Sequence, residues 1–242
     1  MSITPLSDLE FCRSLRWRLG LPIAPVGQRC LHQALHTSKK LCTFALDPAC
    51  QHAVTCKLGG GPINIMHKSL ASVVCTMLHD AGCEARIEVP IPEFHRLKRV
   101  KGSLIPEDAI MDVQGWSGLL GECLLDVSVR HHGAARYVEQ AHHTSGYANS
   151  CAEKEKHTRY PDAGGRRVIC AAVETFGRVG PEFLSWMESL SSIARVHDRV
   201  RGLSAQRYLQ KWRSLLSTTL ARSIVQVISS ALVTDGGSAA RT

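Results

Sequence analysis

The run GECLLDVSV, residues 121–129, constrains the fold of this sequence more than any other stretch. Its side chains alternate with a period of two, and so apolar a run is typical of a strand in the interior of a sheet. Asp126 lies in the middle of it. A carboxylate there is costly to bury unless a cation or hydrogen bonds compensate it. The sequence therefore predicts a polar partner for Asp126 inside the core.

Hydrophobic periodicity along the rest of the chain predicts a mixed sheet. Alternating or short apolar runs predict strands at 83–91, 107–113, 121–129 and 167–174. Apolar residues at helical spacing predict helices at 7–19, 66–82, 149–160, 181–198 and 204–233. Three strands in succession before a crossover helix predict an α/β protein, with a mixed sheet of about four strands flanked by helices rather than a regularly alternating barrel.

The chain is predicted to have three segments. Residues 1–65 contain an N-terminal helix and a segment rich in Cys, His, Pro and Gly that has no periodicity. Residues 66–200 carry the predicted sheet, and residues 201–242 contain a long amphipathic helix and a polar tail. A chain of 242 residues is long enough to bury one large core with such an appendage.

The net charge and the cysteine content indicate which class of partner and which cellular compartment to expect. The net charge is +8 and the pI is about 9.1, which favours an anionic partner, of which nucleic acid is the commonest. The first ten residues carry two acids and no apolar core, and no apolar run reaches about 18 residues. We therefore expect no secretory signal and no membrane span. Ten cysteines without a secretory signal then suggest a reducing, intracellular compartment, nuclear or cytoplasmic.

Two aspartates fall on neighbouring predicted strands, Asp108 at the start of the second and Asp126 within the third. The predicted helix that follows brings Glu153 and Lys156 onto one face. Carboxylates on adjacent strands can hold a hard divalent cation such as Mg²⁺, and a lysine over the same site can stabilise charge that develops on a phosphate. A D…D…K set is common by chance, so a second interpretation stays open, in which Asp126 caps a turn or forms a buried ion pair with Arg130 or Lys156.

Five blocks of sequence occur in an order that resembles a known family. They are ALDPACQHAVTC (45–56), IPEDAI (105–110), LLDVSV (124–129), AEKEKH (152–157) and AVETFG (172–177). Together they resemble the C-terminal region of non-LTR retrotransposon polyproteins, in which a restriction-endonuclease-like domain follows the reverse transcriptase. The resemblance covers about residues 10–200. It implies a Cys/His zinc motif followed by a restriction-endonuclease-like core of the PD-(D/E)xK type, whose lysine lies on the helix after the second acidic strand.

The resemblance assigns roles by position. It implies that Asp108 and Asp126 bind Mg²⁺ or Mn²⁺ and that Lys156 is the displaced catalytic lysine. Glu153 and Glu174 match acids that recur in the family, and they are further candidate catalytic residues. The implied function is a divalent-metal-dependent endonuclease that nicks target DNA, with DNA or RNA as its partner. The alternative is a catalytically inactive, nucleic-acid-binding remnant of such a polyprotein.

The resemblance also implies a zinc site in the N-terminal segment. Cys42, His52 and Cys56 match three ligands of the family motif, but Lys39 occupies the position of its first cysteine. A structural zinc ion needs four ligands, and thiolates with imidazole favour zinc over magnesium. Either the site is lost or its fourth ligand comes from one of four candidates, which are His67, Cys30, His36 and Cys50.

A basic connection is predicted to lead into the strand of Asp108. It comprises residues 94–102, and its candidate DNA-binding residues are Arg96, Lys98, Arg99 and Lys101. Such a loop at the mouth of a metal site would bind the phosphates that flank the scissile bond, without reading the base sequence. Two alternatives stay open: a solvated loop with no ligand, and DNA binding by the arginines of the 7–19 helix instead.

Overall fold

A computed structural model of the chain describes residues 4–33, 41–58, 60–100, 102–162, 165–197 and 204–232. The chain divides into two compact units. The first, which we call the Cys/His unit, comprises Met1–His67 and Ser217–Thr242. The second, which we call the sheet unit, comprises Lys68–Leu216.

Seven helices and four strands are formed by the described residues. The helices are α1 (Asp8–Arg18), α2 (Gln51–Thr55), α3 (Gly60–Asp80), α4 (Val138–His143), α5 (Tyr147–Arg159), α6 (Pro181–His197) and α7 (Ala205–Leu232). The strands are β1 (Glu84–Val100), β2 (Ser103–Ser117), β3 (Gly121–Arg130) and β4 (Val168–Glu174). They form one sheet in the order β1-β2-β3-β4, in which the first two pairings are antiparallel and the last is parallel. This confirms the predicted α/β fold with a mixed sheet, flanking helices and a long C-terminal helix.

The basic stretch at 94–102 is not a connection, so this prediction was wrong. β1 continues to Val100 and β2 begins at Ser103, so that the two strands form one long hairpin. The apolar alternation that predicted a strand ends where the register is irregular, between Ile91 and His95. Beyond this irregularity the strand is maintained by its pairing with β2, which local periodicity does not reveal.

The central strand β3 is buried on both faces from Cys123 to Ser128. On one side of the sheet, Gly115 leaves room for close packing, because a Cβ there would lie 2.7 Å from Leu78 of α3 and 2.9 Å from Cys123. An apolar cluster also reaches the end of α5, and it is formed by Ile91, Phe94, Ala109, Met111, Leu124, Tyr160 and Val168. The core of the sheet unit is therefore continuous around the strand that carries Asp126.

Helix α5 packs against β3 and β4. Small side chains make this packing close, since Ala152 of α5 lies in one buried cluster with Cys170 and Ala172 of β4. The helix is also held by its charged residues, because Glu155 forms ion pairs with Arg130 at the end of β3 and with Arg136. This packing therefore fixes the position, relative to the sheet, of the turn of α5 that follows Ala152 and contains Lys156.

In the Cys/His unit, α1 begins as its sequence predicts. The side chain of Ser7 accepts a hydrogen bond from the backbone of Glu10, whose carboxylate accepts one from the backbone of Ser7. The apolar stripe of this helix is exposed, however, with Leu9 at 60% and Leu19 at 62%, whereas Trp17 is buried. Periodicity located the helix but did not show which of its faces is covered.

The second part of α7 supports the loop that precedes α2. The backbone amide of Leu31 donates to the carbonyl of Ala231 at 2.9 Å, and Nε2 of His32 lies 3.1 Å from the carbonyl of Val227. By length and composition α7 could also cross a membrane, but half of its most apolar window is buried in the protein. A buried core helix passes the same test, so α7 is weak evidence for a membrane.

Candidate metal centres

The first candidate centre lies where β2 and β3 separate. Their antiparallel register runs from Ser117 opposite Gly121 to Val113 opposite Leu125. One step further, Asp112 and Asp126 would face each other, and the amide of Val127 donates to a carboxylate oxygen of Asp112 at 2.6 Å. Oxygens of the two carboxylates lie within 4.8 Å of each other. The carboxylate of Asp112 thus accepts a hydrogen bond from the backbone of the neighbouring strand, and the pairing of β2 with β3 ends at the two aspartates.

Lys156 of α5 completes this centre. Its Nζ lies 2.6 Å from Oδ1 of Asp126, and the two side chains are 11% and 7% exposed. The close packing of Ala152 one turn earlier brings the lysine over the sheet, because residues four apart lie on the same face of a helix. The predicted polar partner of Asp126 is therefore a lysine on the following helix.

The electrostatic balance of the centre is set by burial and by its second acid. Burial raises the pKa of Asp126 to about 6, the positive charge of Lys156 opposes this rise, and the negative charge of Asp112 adds to it. Two carboxylates this close favour a shared proton or a bound cation over two free negative charges. The geometry can therefore hold a hard cation through carboxylate oxygens, with an ammonium group beside it.

Asp108 does not belong to this centre, which corrects the predicted pair of ligands. It lies on β2 four residues before Asp112, so the two are about 13 Å apart along the strand. Its carboxylate is half exposed and lies 3.5 Å from Nδ1 of His95 on β1. Both aspartates are on the same face of β2, and only the register with β3 distinguishes them. Counting back from a turn at 118–120 would have placed Asp112 opposite Asp126.

Glu153 and Glu174 lie outside the group that Asp112 and Asp126 form. Glu153 accepts a hydrogen bond from the amide of Glu182, at the start of α6, at 3.1 Å, and burial raises its pKa. Glu174 is buried at the end of β4, opposite Arg130 in the register, whereas Asp126 is opposite Cys170. Glu174 is four residues after Cys170, a step that spans about 13 Å along β4. Neither glutamate is brought beside the two aspartates.

The second candidate centre is a cluster of three cysteines and one histidine in the Cys/His unit. It consists of Cys30, Cys42, His52 and Cys56, whose ligand atoms all lie within 4.8 Å of one another. Sγ of Cys30 is 3.9 Å from Sγ of Cys56, and Sγ of Cys42 is 3.3 Å from Nε2 of His52. Tetrahedral zinc would place two sulfurs about 3.8 Å apart and a sulfur and a nitrogen about 3.6 Å apart. The cluster could bind zinc.

Local backbone structure assembles this cluster. The amide of Cys30 donates to the carbonyl of Phe44 at 2.9 Å, and the amide of Cys42 donates to the carbonyl of His32 at 2.8 Å, so the two cysteines are diagonal neighbours on adjacent antiparallel segments of an irregular hairpin. The carboxylate of Asp47 accepts hydrogen bonds from the first amides of α2. That helix carries His52 and ends at Cys56.

The structure selects Cys30 as the fourth member of the cluster. His67 lies on α3, outside these four residues, and Cys50 is buried at the start of α2 without joining them. Two positions that the sequence singled out, His36 and Lys39, lie outside the described residues. Cys30 is twelve residues before Cys42, so no short spacing marks the pair and only the hairpin brings them together.

Burial raises the pKa of the Cys30 thiol to about 12, and the neighbouring thiols add to the rise. The pKa of Cys56 is also raised by burial. A cation that binds here must therefore displace protons from the thiols, and affinity for it rises with pH.

The predicted DNA-binding residues are only partly described. Arg96, Lys98 and Arg99 lie on β1, and the structure describes their backbone but not their side chains. Lys101 lies outside the described residues.

The described residues thus define an α/β protein with a Cys₃His cluster that could bind zinc and a pair of aspartates, Asp126 buried and Asp112 partly buried, beside a lysine. No protein-family model matches this chain, and no curated protein matches it either.

Proposed function

We propose that the sheet unit is a divalent-metal-dependent DNA endonuclease of retrotransposon origin. The observation that carries this proposal is the group formed by Asp112, Asp126 and Lys156 where β2 and β3 separate. Asp112 replaces Asp108 as the partner of Asp126. In this proposal both aspartates hold Mg²⁺ or Mn²⁺, which are cations that prefer carboxylate oxygens.

Each residue has a role that its surroundings support. A bound divalent ion would activate water and neutralise charge on the phosphate. Burial of Asp126 keeps the site in a low-dielectric environment, where a charged group acts more strongly than in water. Lys156 is held in place by the packing of α5 and offers a fixed positive charge to the phosphate oxygens as charge develops on them.

DNA as the substrate rests on charge and on sequence. The chain carries a net charge of +8, which attracts polyanions. The five blocks that resemble retrotransposon polyproteins include the strand of Asp126 and the helix of Lys156. The Cys₃His cluster, with zinc bound, would stabilise the loop that precedes α2 and would take no part in cleavage.

One observation favours the alternative of an inactive, nucleic-acid-binding remnant. Lys156 already compensates Asp126 at 2.6 Å, so this acid has a buried partner even without a metal ion. A chain that had lost its activity could retain this pair for its packing alone.

Nicking of supercoiled plasmid in Mg²⁺ distinguishes an active endonuclease from an inactive, nucleic-acid-binding remnant. We expect nicking by the parent chain and a loss of at least about a hundredfold in Asp126→Asn and Asp112→Asn, since each removes a metal ligand. Asp108→Asn is the matched control, on the same strand and the same face, and should nick like the parent. DNA binding should persist in all three variants. Nicking that survives in Asp112→Asn but not in Asp108→Asn would overturn the assignment, and binding without nicking by the parent would favour the remnant.

A further inference from the structure

The outer part of the β1–β2 hairpin extends past the sheet. Six register pairs, from His95 opposite Asp108 to Val100 opposite Ser103, form a two-stranded ribbon that we call the arm. Within the described residues, β3 pairs with β2 only from Val113 onward, and β1 is an edge strand. Among the described residues, no further strand pairs with either edge of the arm.

The arm is basic toward its turn. Arg96 is opposite Glu107 in the register, Lys98 and Arg99 lie further along β1, and Lys101 follows them in the sequence. Its two acids are at the base, and one of them, Asp108, faces His95 at 3.5 Å. The partner that this distribution fits is a polyanion, approached from the turn.

The dimensions of the arm match a duplex. Six residues of strand span about 20 Å, and the ten steps along the chain from Gly102 to Asp112 span about 33 Å. At about 3.4 Å per base pair, the arm would cover roughly six base pairs. The major groove of B-DNA is about 12 Å wide and admits a two-stranded ribbon, whereas the minor groove is about 6 Å wide and would have to be widened to take one.

We propose that the arm lies in the major groove of duplex DNA, on one side of the candidate cleavage centre. The inference rests on the proposed function only in taking DNA as the partner. Because the arm begins four residues from Asp112, its position in the groove would fix the distance and direction of the duplex relative to the two aspartates. Cations along the ribbon would contact the phosphates on both sides of the groove.

Charged residues on a free strand edge have another common role, which is to prevent edge-to-edge aggregation. A variant with a shortened arm distinguishes DNA binding from protection against aggregation. Deletion of residues 98–105, with Asn-Gly inserted between Leu97 and Pro106, keeps the register of that pair and closes it with a two-residue turn. A second variant, Lys98→Gln with Arg99→Gln and Lys101→Gln, keeps the ribbon and removes the same three charges.

The probe is a pair of duplexes of one sequence, with cytosines either plain or carrying a glucosylated hydroxymethyl group that fills the major groove. Binding is measured without divalent metal, so that no cleavage occurs. We expect the parent to bind the glucosylated duplex about tenfold more weakly, a difference of about 1.4 kcal/mol. Netropsin in the minor groove should have little effect. The charge variant should keep the preference for plain DNA but lower the salt slope by about 0.9 per lost phosphate contact.

The shortened variant should bind both duplexes alike. Equal affinity of the parent for the two duplexes, or an undiminished preference in the shortened variant, would overturn the proposal. Displacement of the parent by netropsin would do so too. Plasmid nicking in Mg²⁺ is a separate measurement: groove preference without nicking counts against the endonuclease alone, and nicking without groove preference counts against the arm alone. The charge variant keeps the test valid if the shortened chain fails to fold.

Discussion

Replacing Lys156 by methionine removes the cation that faces the buried carboxylate of Asp126. The two side chains form an ion pair at 2.6 Å and are 11% and 7% exposed, so water can replace little of the lost interaction. Methionine has a similar length and adds no strain of its own. The variant therefore tests how much the stability of the fold depends on the positive charge beside the buried carboxylate.

The expected loss of stability depends on pH. Burial raises the pKa of Asp126 to about 6, above its value of about 4 in an unfolded chain. Below about pH 4 the carboxyl is protonated in both states, and as pH rises through about 6 the folded state loses roughly 3 kcal/mol from this group. Without the lysine the pKa rises further. We expect Lys156→Met to cost about 3–5 kcal/mol at about pH 8, where the acid is charged and unpaired, and about 1 kcal/mol or less at about pH 5, where it is neutral.

Urea denaturation followed by circular dichroism at both pH values measures this difference. Lys154→Met is the matched control, because Lys154 lies on the same helix and is exposed. It should change the unfolding free energy by less than about 0.5 kcal/mol at either pH. An equal loss at the two pH values in Lys156→Met would refute the reasoning, since it would mean that packing of the lysine stem, and not its charge, stabilises α5 on the sheet.

Two further predictions concern the rest of the fold. The parent should contain about one zinc ion per chain by elemental analysis. Cys56→Ala should lose this ion together with thermal stability, whereas Cys50→Ala, at a buried cysteine outside the cluster, should retain it. Zinc-free parent protein would refute the assignment. Gly115→Ala should destabilise the sheet unit by about 1–3 kcal/mol, because its Cβ would overlap neighbouring side chains. Gly118→Ala, which meets nothing within 4 Å, is the control, and similar losses in both would show that the close packing at Gly115 is not the cause.

Local periodicity was enough to locate most elements of the fold. β3, β4, α5, α6 and α7 were predicted within a few residues, because period two and period 3.6 are properties of consecutive side chains. The need of Asp126 for a partner followed from its neighbours in sequence, and Lys156 was already a candidate. Similarly, His52 and Cys56 lie close together because they are four residues apart, with His52 in α2 and Cys56 directly after it.

The identity of each distant partner was decided only by the tertiary structure. Asp108 and Asp112 share one face of one strand, and the register with β3 selects Asp112. Cys30 and Cys42 meet through an irregular hairpin that leaves no periodic pattern. The extent of β1 beyond Ile91 depends on pairing with β2 across a break in its own alternation. In all three cases, interactions between residues far apart in the chain determine the result, and such interactions leave little trace in the order of neighbouring side chains.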